Sequence, residues 1–270
     1  MRTLLVGSHA AKWHGVDLGR TPGDYDFFAD TEFPEMMHGD NENGDKVDIF
    51  WDDALTQWLP EGHYGIAYPE ELYTIKLSHA AWELRNGSWD KHMNDAMVLK
   101  AAGAQVDEDL YKLLYSVWER HHGKKQVNLD EESDEFFTDA VVRRFDHDSL
   151  HRSVAYSPGK PLYERVLKPG KTVAMDMAAV WAMPFDRQVA LFREEIYVTA
   201  LERLIIPSNY QYSPGRAYKW ALRRTITSLT KGRSSRFIAE NYDIFRQPDF
   251  DYVRHHQRNA HHLEMFKENK

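Results

Sequence analysis

Thr3 to Val6 form a short apolar run that stops at Gly7-Ser8, a pattern that predicts a buried strand feeding a turn. His9 to Gly15 follows as a helix, ended by its glycine. Arg20-Thr21-Pro22-Gly23 reads as a turn, and Asp24 to Ala29 then alternates polar and apolar positions as a half-buried strand does. Asp30 to Asp45, with Pro34, Gly39 and Gly44, reads as a loop. Lys46 to Trp51 alternates again, and Tyr64 to Ala67 supplies a fourth strand. Pro69 opens a helix whose first turn carries Glu70 and Glu71 at the positive end of the helix dipole. This helix is predicted to run to Arg85 and stop at Asn86-Gly87. A second spans Asp90 to Ala102 and ends at Gly103.

From Asp107 onward the pattern turns helical, with segments at 107–121, 133–145, 186–205, 214–230 and 249–267. Ser157-Pro158-Gly159, Lys168-Pro169-Gly170 and Pro207-Ser208-Asn209 mark the loops between them. The expected class is α+β: a small mixed sheet with flanking helices, followed by a mostly helical region. Strand signals stop near 103–108, which divides the chain into a domain at 1–104 and a mostly helical one at 105–270.

Composition narrows the class of protein. Hydrophobic residues at 42% and charged residues at 28% suit a soluble globular chain, and eight Trp supply large apolar surface to bury. The absence of cysteine removes disulfides, thiolate zinc sites and cysteine nucleophiles together. No apolar run approaches the roughly 20 residues that span a bilayer, and Gly7 interrupts the N-terminal run too early for a secretory signal. A cytoplasmic protein without a membrane partner is expected. The net charge of −8 argues against a uniformly polyanion-binding surface. Its distribution is uneven: 107–139 holds ten acidic against four basic residues, whereas 201–270 holds thirteen basic against seven acidic. A polyanion would meet the C-terminal third first.

Chemistry concentrates at the start of the chain. Gly7-Ser8, where a strand hands over to a helix, brings backbone N–H groups and a hydroxyl to one spot suited to a phosphate. Asp24 and Asp26 are two apart on a strand and therefore share a face. Asp48 sits between Val47 and Ile49, which point the other way. Three carboxylates converging from two strands are costly unless a cation neutralises them, and hard ions such as Mg²⁺ or Mn²⁺ take oxygen ligands.

Leu5-Val6-Gly7-Ser8, then Asp24-Tyr25-Asp26-Phe27, then Val47-Asp48-Ile49 resembles the signature of the polymerase-beta-type nucleotidyltransferase superfamily. Within it the chain is most similar to the minimal enzymes of the AbiEii type, known from toxin–antitoxin and phage-defence systems. Arg20 resembles the arginine that precedes Asp-x-Asp there. Glu70-Glu71-Leu72 through Lys76, followed by Lys91 and Asp95, resembles the later helical pair. The resemblance covers roughly residues 4–100. It implies Asp24, Asp26 and Asp48 as metal ligands, with Asp48 as third ligand or general base. It further implies a nucleotide, ATP or another NTP, at Gly7, Ser8, Arg20, Lys76, Lys91 and Asp95. The implied reaction moves an NMP to an acceptor and releases pyrophosphate. The acceptor stays open between tRNA or another nucleic acid, a protein and a small molecule. Ser8 stands where many members have glycine, and the long 30–45 segment is a local departure that bears on Asp48.

Two other features compete for attention. Asp146-His147-Asp148 with His151, together with His121 and His122 upstream and Asp176 or Asp243 downstream, loosely resembles an HD-type metal phosphohydrolase. The alternative is helix capping by the aspartates and surface histidines. Arg216, Lys219 and Arg223 fall on one face of the 214–230 helix, with Arg224 beside them and Tyr218 and Trp220 nearby. Basic and aromatic side chains so mixed suit a nucleic acid, and a solvated basic face explains them equally. His255-His256 and His261-His262 near the terminus read as solvated. A non-catalytic nucleotide-binding regulator or inhibitor remains the rival to an enzyme.

Overall fold

The computed structural model describes residues 2–32, 38–40, 44–80, 82, 89–123, 163–165, 173–175, 181–189, 192, 193, 196, 200, 214–228 and 233–247. The chain divides into two compact units, Met1–Lys124 and Lys125–Lys270. The architecture is α+β.

The first unit runs β1 (Thr3–Val6), α1 (Gly7–Trp13), β2 (Asp24–Ala29), β3 (His38–Asp40), β4 (Lys46–Trp51), β5 (Tyr64–Ile66), α2 (Pro69–His79), α3 (Trp89–Ala101) and α4 (Glu108–His122). The strands form one mixed sheet in the order β3-β4-β2-β1-β5. β2 lies antiparallel to β1 and parallel to β4, while β1 is parallel to β5. The 30–45 segment is not loop throughout, because β3 pairs antiparallel with β4 inside it. His-Gly-Asp carries no apolar alternation, so a three-residue edge strand left no trace in the pattern.

The register sorts side chains between the two faces of the sheet. Asp26 pairs with Asp48 and Phe28 with Phe50 on β2 and β4, so acids and aromatics follow one another along the same face. Phe28 and Phe50 lie 5.6 Å apart and both pack on Trp118 of α4, with Phe50 at 4.9 Å. Burying aromatics of this size stabilises the unit by about 2–3 kcal/mol each. Trp118 Nε1 donates to Ser78 Oγ at 3.0 Å, which fixes α4 against α2. The first unit therefore includes α4, which the sequence reading assigned to the helical region.

Local capping follows the sequence closely. Glu71 reaches back to accept from the Tyr68 N–H at 2.7 Å, with Pro69 at the first turn of α2. Asp107 caps α4 by accepting from the N–H groups of Asp109 and Leu110 at 3.0 Å. α2 ends at His79 rather than Arg85, and Trp82 beyond it donates from Nε1 to the Gly123 carbonyl at 3.2 Å.

The second unit contains a hairpin of β6 (Tyr163–Arg165) and β7 (Val173–Met175), followed by α5 (Pro214–Ser228), α6 (Arg233–Glu240) and α7 (Tyr242–Phe245). Residues 181, 182, 185–189, 192, 193, 196 and 200 are also helical. The hairpin departs from the helical expectation, since three-residue strands are too short to show a period. α6 and α7 were likewise not foreseen. Phe192 and Phe237 pack with their rings tilted at 5.3 Å within this core, and Tyr218 Oη donates to the Phe245 carbonyl at 2.6 Å. The expected helices at 133–145 and 249–267 lie outside the described residues. Among the described residues no helix is long and apolar enough to cross a membrane.

Candidate active site

The parallel pairing of β2 and β4 places Asp26 directly beside Asp48, and Asp24 lies one pleat away on the same face. One oxygen from each of Asp24, Asp26 and Asp48 lies within 4.8 Å of the other two. Val6, the last residue of β1, pairs with Asp26 on its other side. The chain then turns at Gly7, whose φ of +68° is reached at no steric cost by glycine alone. Asp26 packs against that turn so closely that a methyl group on Gly7 would sit 2.0 Å from Asp26 Oδ2. Glycine is thus required twice over, by its dihedral and by its neighbour.

Gathering three carboxylates has an electrostatic signature. The carboxyl of Asp26 is pushed up from 3.8 to about 6, first by burial and then by Asp24 and Asp48, while Lys76 and Lys91 pull it down. The hard oxygen donors, their spacing and the raised Asp26 together fit a divalent cation such as Mg²⁺ or Mn²⁺.

Asp95 of α3, only 2% exposed, organises the cations around the acids. Its Oδ2 accepts from Arg20 at 2.7 Å and pairs with Lys76 Nζ at 3.2 Å. Three segments distant in sequence therefore meet at one carboxylate. Asp95 acts as a counter-ion that aims Arg20 and Lys76, rather than as a group that itself faces a phosphate. Lys91, on the exposed side of α3, contributes through the field it exerts on Asp26. His92 locks α3 to α2 through a hydrogen bond to the Lys76 carbonyl, and burial holds its pKa well below 6.5, so it stays neutral.

A cavity of about 590 Å³ opens beside this centre, lined by Ser8, Lys12, Asp17 and Arg20 among others. Ser8 is buried at the start of α1, and Arg20 joins the cavity to Asp95. α1 has seven residues, so its dipole adds little, and the cationic groups lining the cavity are Lys12 and Arg20, the latter paired with Asp95. Lys12 escaped the sequence reading, although its i,i+4 spacing from Ser8 on one helix face was available as a signal. His9 escaped it too. Its ring stacks on Tyr25 at 3.7 Å, and burial, then Lys12, lower its pKa against the opposing pull of Asp24.

The structure therefore brings together Gly7, Ser8, Arg20, Asp24, Asp26, Asp48, Lys76, Lys91 and Asp95. The second constellation is not assembled in the same way. Asp146, His147, Asp148, His151 and Asp176 lie outside the described residues. His121 Nε2 contacts Asp52 Oδ2 at 2.8 Å, and His122 stacks on His79 at 5.5 Å. Asp52 also meets Arg120 at 3.3 Å, so His121 belongs to a clasp between α4 and the residue that follows β4. Asp243 stands exposed on α7. Arg216 and Lys219 are exposed and Arg223 half-buried on α5, whereas the Arg224 side chain, His255, His256, His261 and His262 lie outside the described residues.

The chain belongs to the family defined by the domain of unknown function DUF7275, whose model matches residues 71–259. The match includes Lys76, Lys91, Asp95 and α5, and begins after Asp24, Asp26 and Asp48 in the sequence. No curated protein and no solved structure matches the chain.

Proposed function

We propose that the first unit has a nucleotidyltransferase fold of the polymerase-beta type, resembling the AbiEii enzymes, and that it transfers an NMP from an NTP to an acceptor. One observation carries this reading: three carboxylate oxygens within 4.8 Å of one another, backed by a glycine turn that admits no side chain. Burial first, and then Asp24 and Asp48, raise the Asp26 carboxyl, so keeping this centre ionised is costly without a cation. A divalent ion bound there supplies Lewis acidity and charge neutralisation at phosphorus.

Asp24 and Asp26 are the residues that would hold it, with Asp48 beside them. The side chains of Ser8, Lys12 and Arg20 line the cavity that takes the nucleotide phosphates. Lys76, aimed by Asp95, opposes the charge that builds on the leaving pyrophosphate. Asp48 orients the acceptor hydroxyl and receives its proton as the oxygen–phosphorus bond forms. The bond from the α-phosphorus to the bridging oxygen breaks, and pyrophosphate departs.

The test uses each α-³²P-labelled NTP with Mg²⁺ or Mn²⁺ and total cellular RNA and protein. Label should move onto a macromolecule with the wild-type chain and not with Asp24→Ala/Asp26→Ala. Metal-dependent NTP binding without transfer, for every nucleotide, would replace the enzyme with a nucleotide-binding regulator.

A further inference from the structure

α5 concentrates one sign of charge. Its fifteen residues include Arg216, Lys219, Arg223 and Arg224 and no acidic residue, in a chain whose net charge is −8. Tyr218, Ala221 and Leu222 are buried on one side, whereas Arg216 and Lys219 are exposed and Arg223 and Trp220 half-buried on the other. Arg216, Lys219 and Arg223 follow one another at three and four residues, so like charges stand about 5–6 Å apart along two turns. The helix itself supplies no carboxylate to this stripe. Trp220 lies four residues from Arg216 and three from Arg223, which sets an aromatic ring within the basic stripe. α6 packs against α5 and begins with the exposed Arg233, whose guanidinium lies 4.4 Å over the Trp181 ring.

We propose that this face of α5 binds the backbone of a single-stranded nucleic acid, with Trp220 offering a stacking surface to a base. Cations spaced along a helix match successive phosphates, and an interleaved aromatic accepts any base because every base has a π face. A single strand is favoured over a duplex, because only unpaired bases reach a ring lying among the phosphate contacts. As the acceptor of the proposed transfer, this strand rests on the transferase reading; as a ligand of α5 it does not.

The measurement is fluorescence anisotropy of the full chain with a labelled twelve-nucleotide RNA of mixed sequence, between 50 and 200 mM KCl. Three phosphate contacts predict a slope of log affinity against log salt of about −2 from this stripe. Arg216→Gln/Lys219→Gln/Arg223→Gln should flatten the slope by about that amount and weaken binding at 50 mM KCl. Trp220→Leu should weaken binding about tenfold and leave the slope unchanged, since stacking releases no counterion. Wild-type affinity in the triple variant, a flat wild-type slope, or a duplex of equal length bound as tightly as the single strand would each overturn the proposal. RNA binding without nucleotide transfer ends the transferase reading and keeps the surface. Transfer to a macromolecule unaffected by the triple variant, with RNA binding equally unaffected, ends the surface and keeps the transferase.

Discussion

The acidic centre of the first unit and the basic face of α5 both crowd like charges, yet they do so in different media. Asp24 and Asp26 sit partly withdrawn from water beside Asp48, and burial first, then the neighbouring carboxylates, drive Asp26 up to about 6. Arg216 and Lys219 stand in solvent, where ions screen the same repulsion within about 10 Å. Burial converts crowded charge into a large conformational cost that a bound cation can relieve. Exposure leaves a small cost and a strong dependence on salt. The two regions should therefore respond to mutation on different scales.

The largest effect is expected at the acids. Asp26→Asn should lower nucleotide transfer at least about 10²-fold, because it removes a charge that acts at the reacting phosphate. The same change should stabilise the metal-free chain at neutral pH by up to about 3 kcal/mol, the scale of a two-unit pKa shift. Urea unfolding checks the second half, and a destabilised variant would count against a buried, repelled carboxylate.

Asp95→Asn should act in the opposite sense and cost about 3 kcal/mol, because Arg20 and Lys76 lose their shared counter-ion. Unchanged stability there would mean that the two cations are held by something else. Gly7→Ala comes next, at about 1–2 kcal/mol for the positive φ alone. Transfer should fall with it, since the new methyl displaces Asp26.

The pH dependence follows from the direction of the Asp26 shift. Its folded pKa of about 6 lies above the ordinary 3.8, so between these values the folded state holds the extra proton and gains stability as pH falls. The advantage of Asp26→Asn over wild type should accordingly be full above pH 7 and vanish near pH 4. Taking the difference between the two proteins removes His92, which works the other way. Its pKa is depressed on folding, so the stability it permits above 6.5 is lost as pH falls. The smallest effect belongs to α5. Arg216→Gln/Lys219→Gln should change the unfolding free energy by no more than about 0.5 kcal/mol, and a larger loss would make the stripe structural rather than a docking face.

The acidic centre was legible because its parts are local. Alternation in Asp24–Ala29 and Lys46–Trp51 gave both strands at their observed bounds, and the alternation alone set Asp24 and Asp26 on one face. That the strands would be neighbours, parallel and in register at Asp26 and Asp48 was not in the pattern, because pairing is decided by the whole sheet. Arg20, Lys76 and Asp95 were each singled out, but their meeting at one buried carboxylate depends on how α2 and α3 dock. Asp52 with Arg120 and His121 escaped notice for the same reason, being joined across 68 and 69 residues of chain. The hairpin of β6 and β7 escaped for another: periodicity needs more than three residues to show.

Gly7 carries a consequence for genetics. Every missense codon at that position introduces a Cβ, and the Cβ meets the Asp26 carboxylate before the rest of the side chain matters. In a saturation library selected for activity, position 7 should behave as all-or-none, with alanine as depleted as tryptophan. The neighbouring Ser8 should instead show a graded spectrum that follows size and polarity. A site whose tolerance ignores the identity of the incoming residue is recognisable from sequencing counts alone.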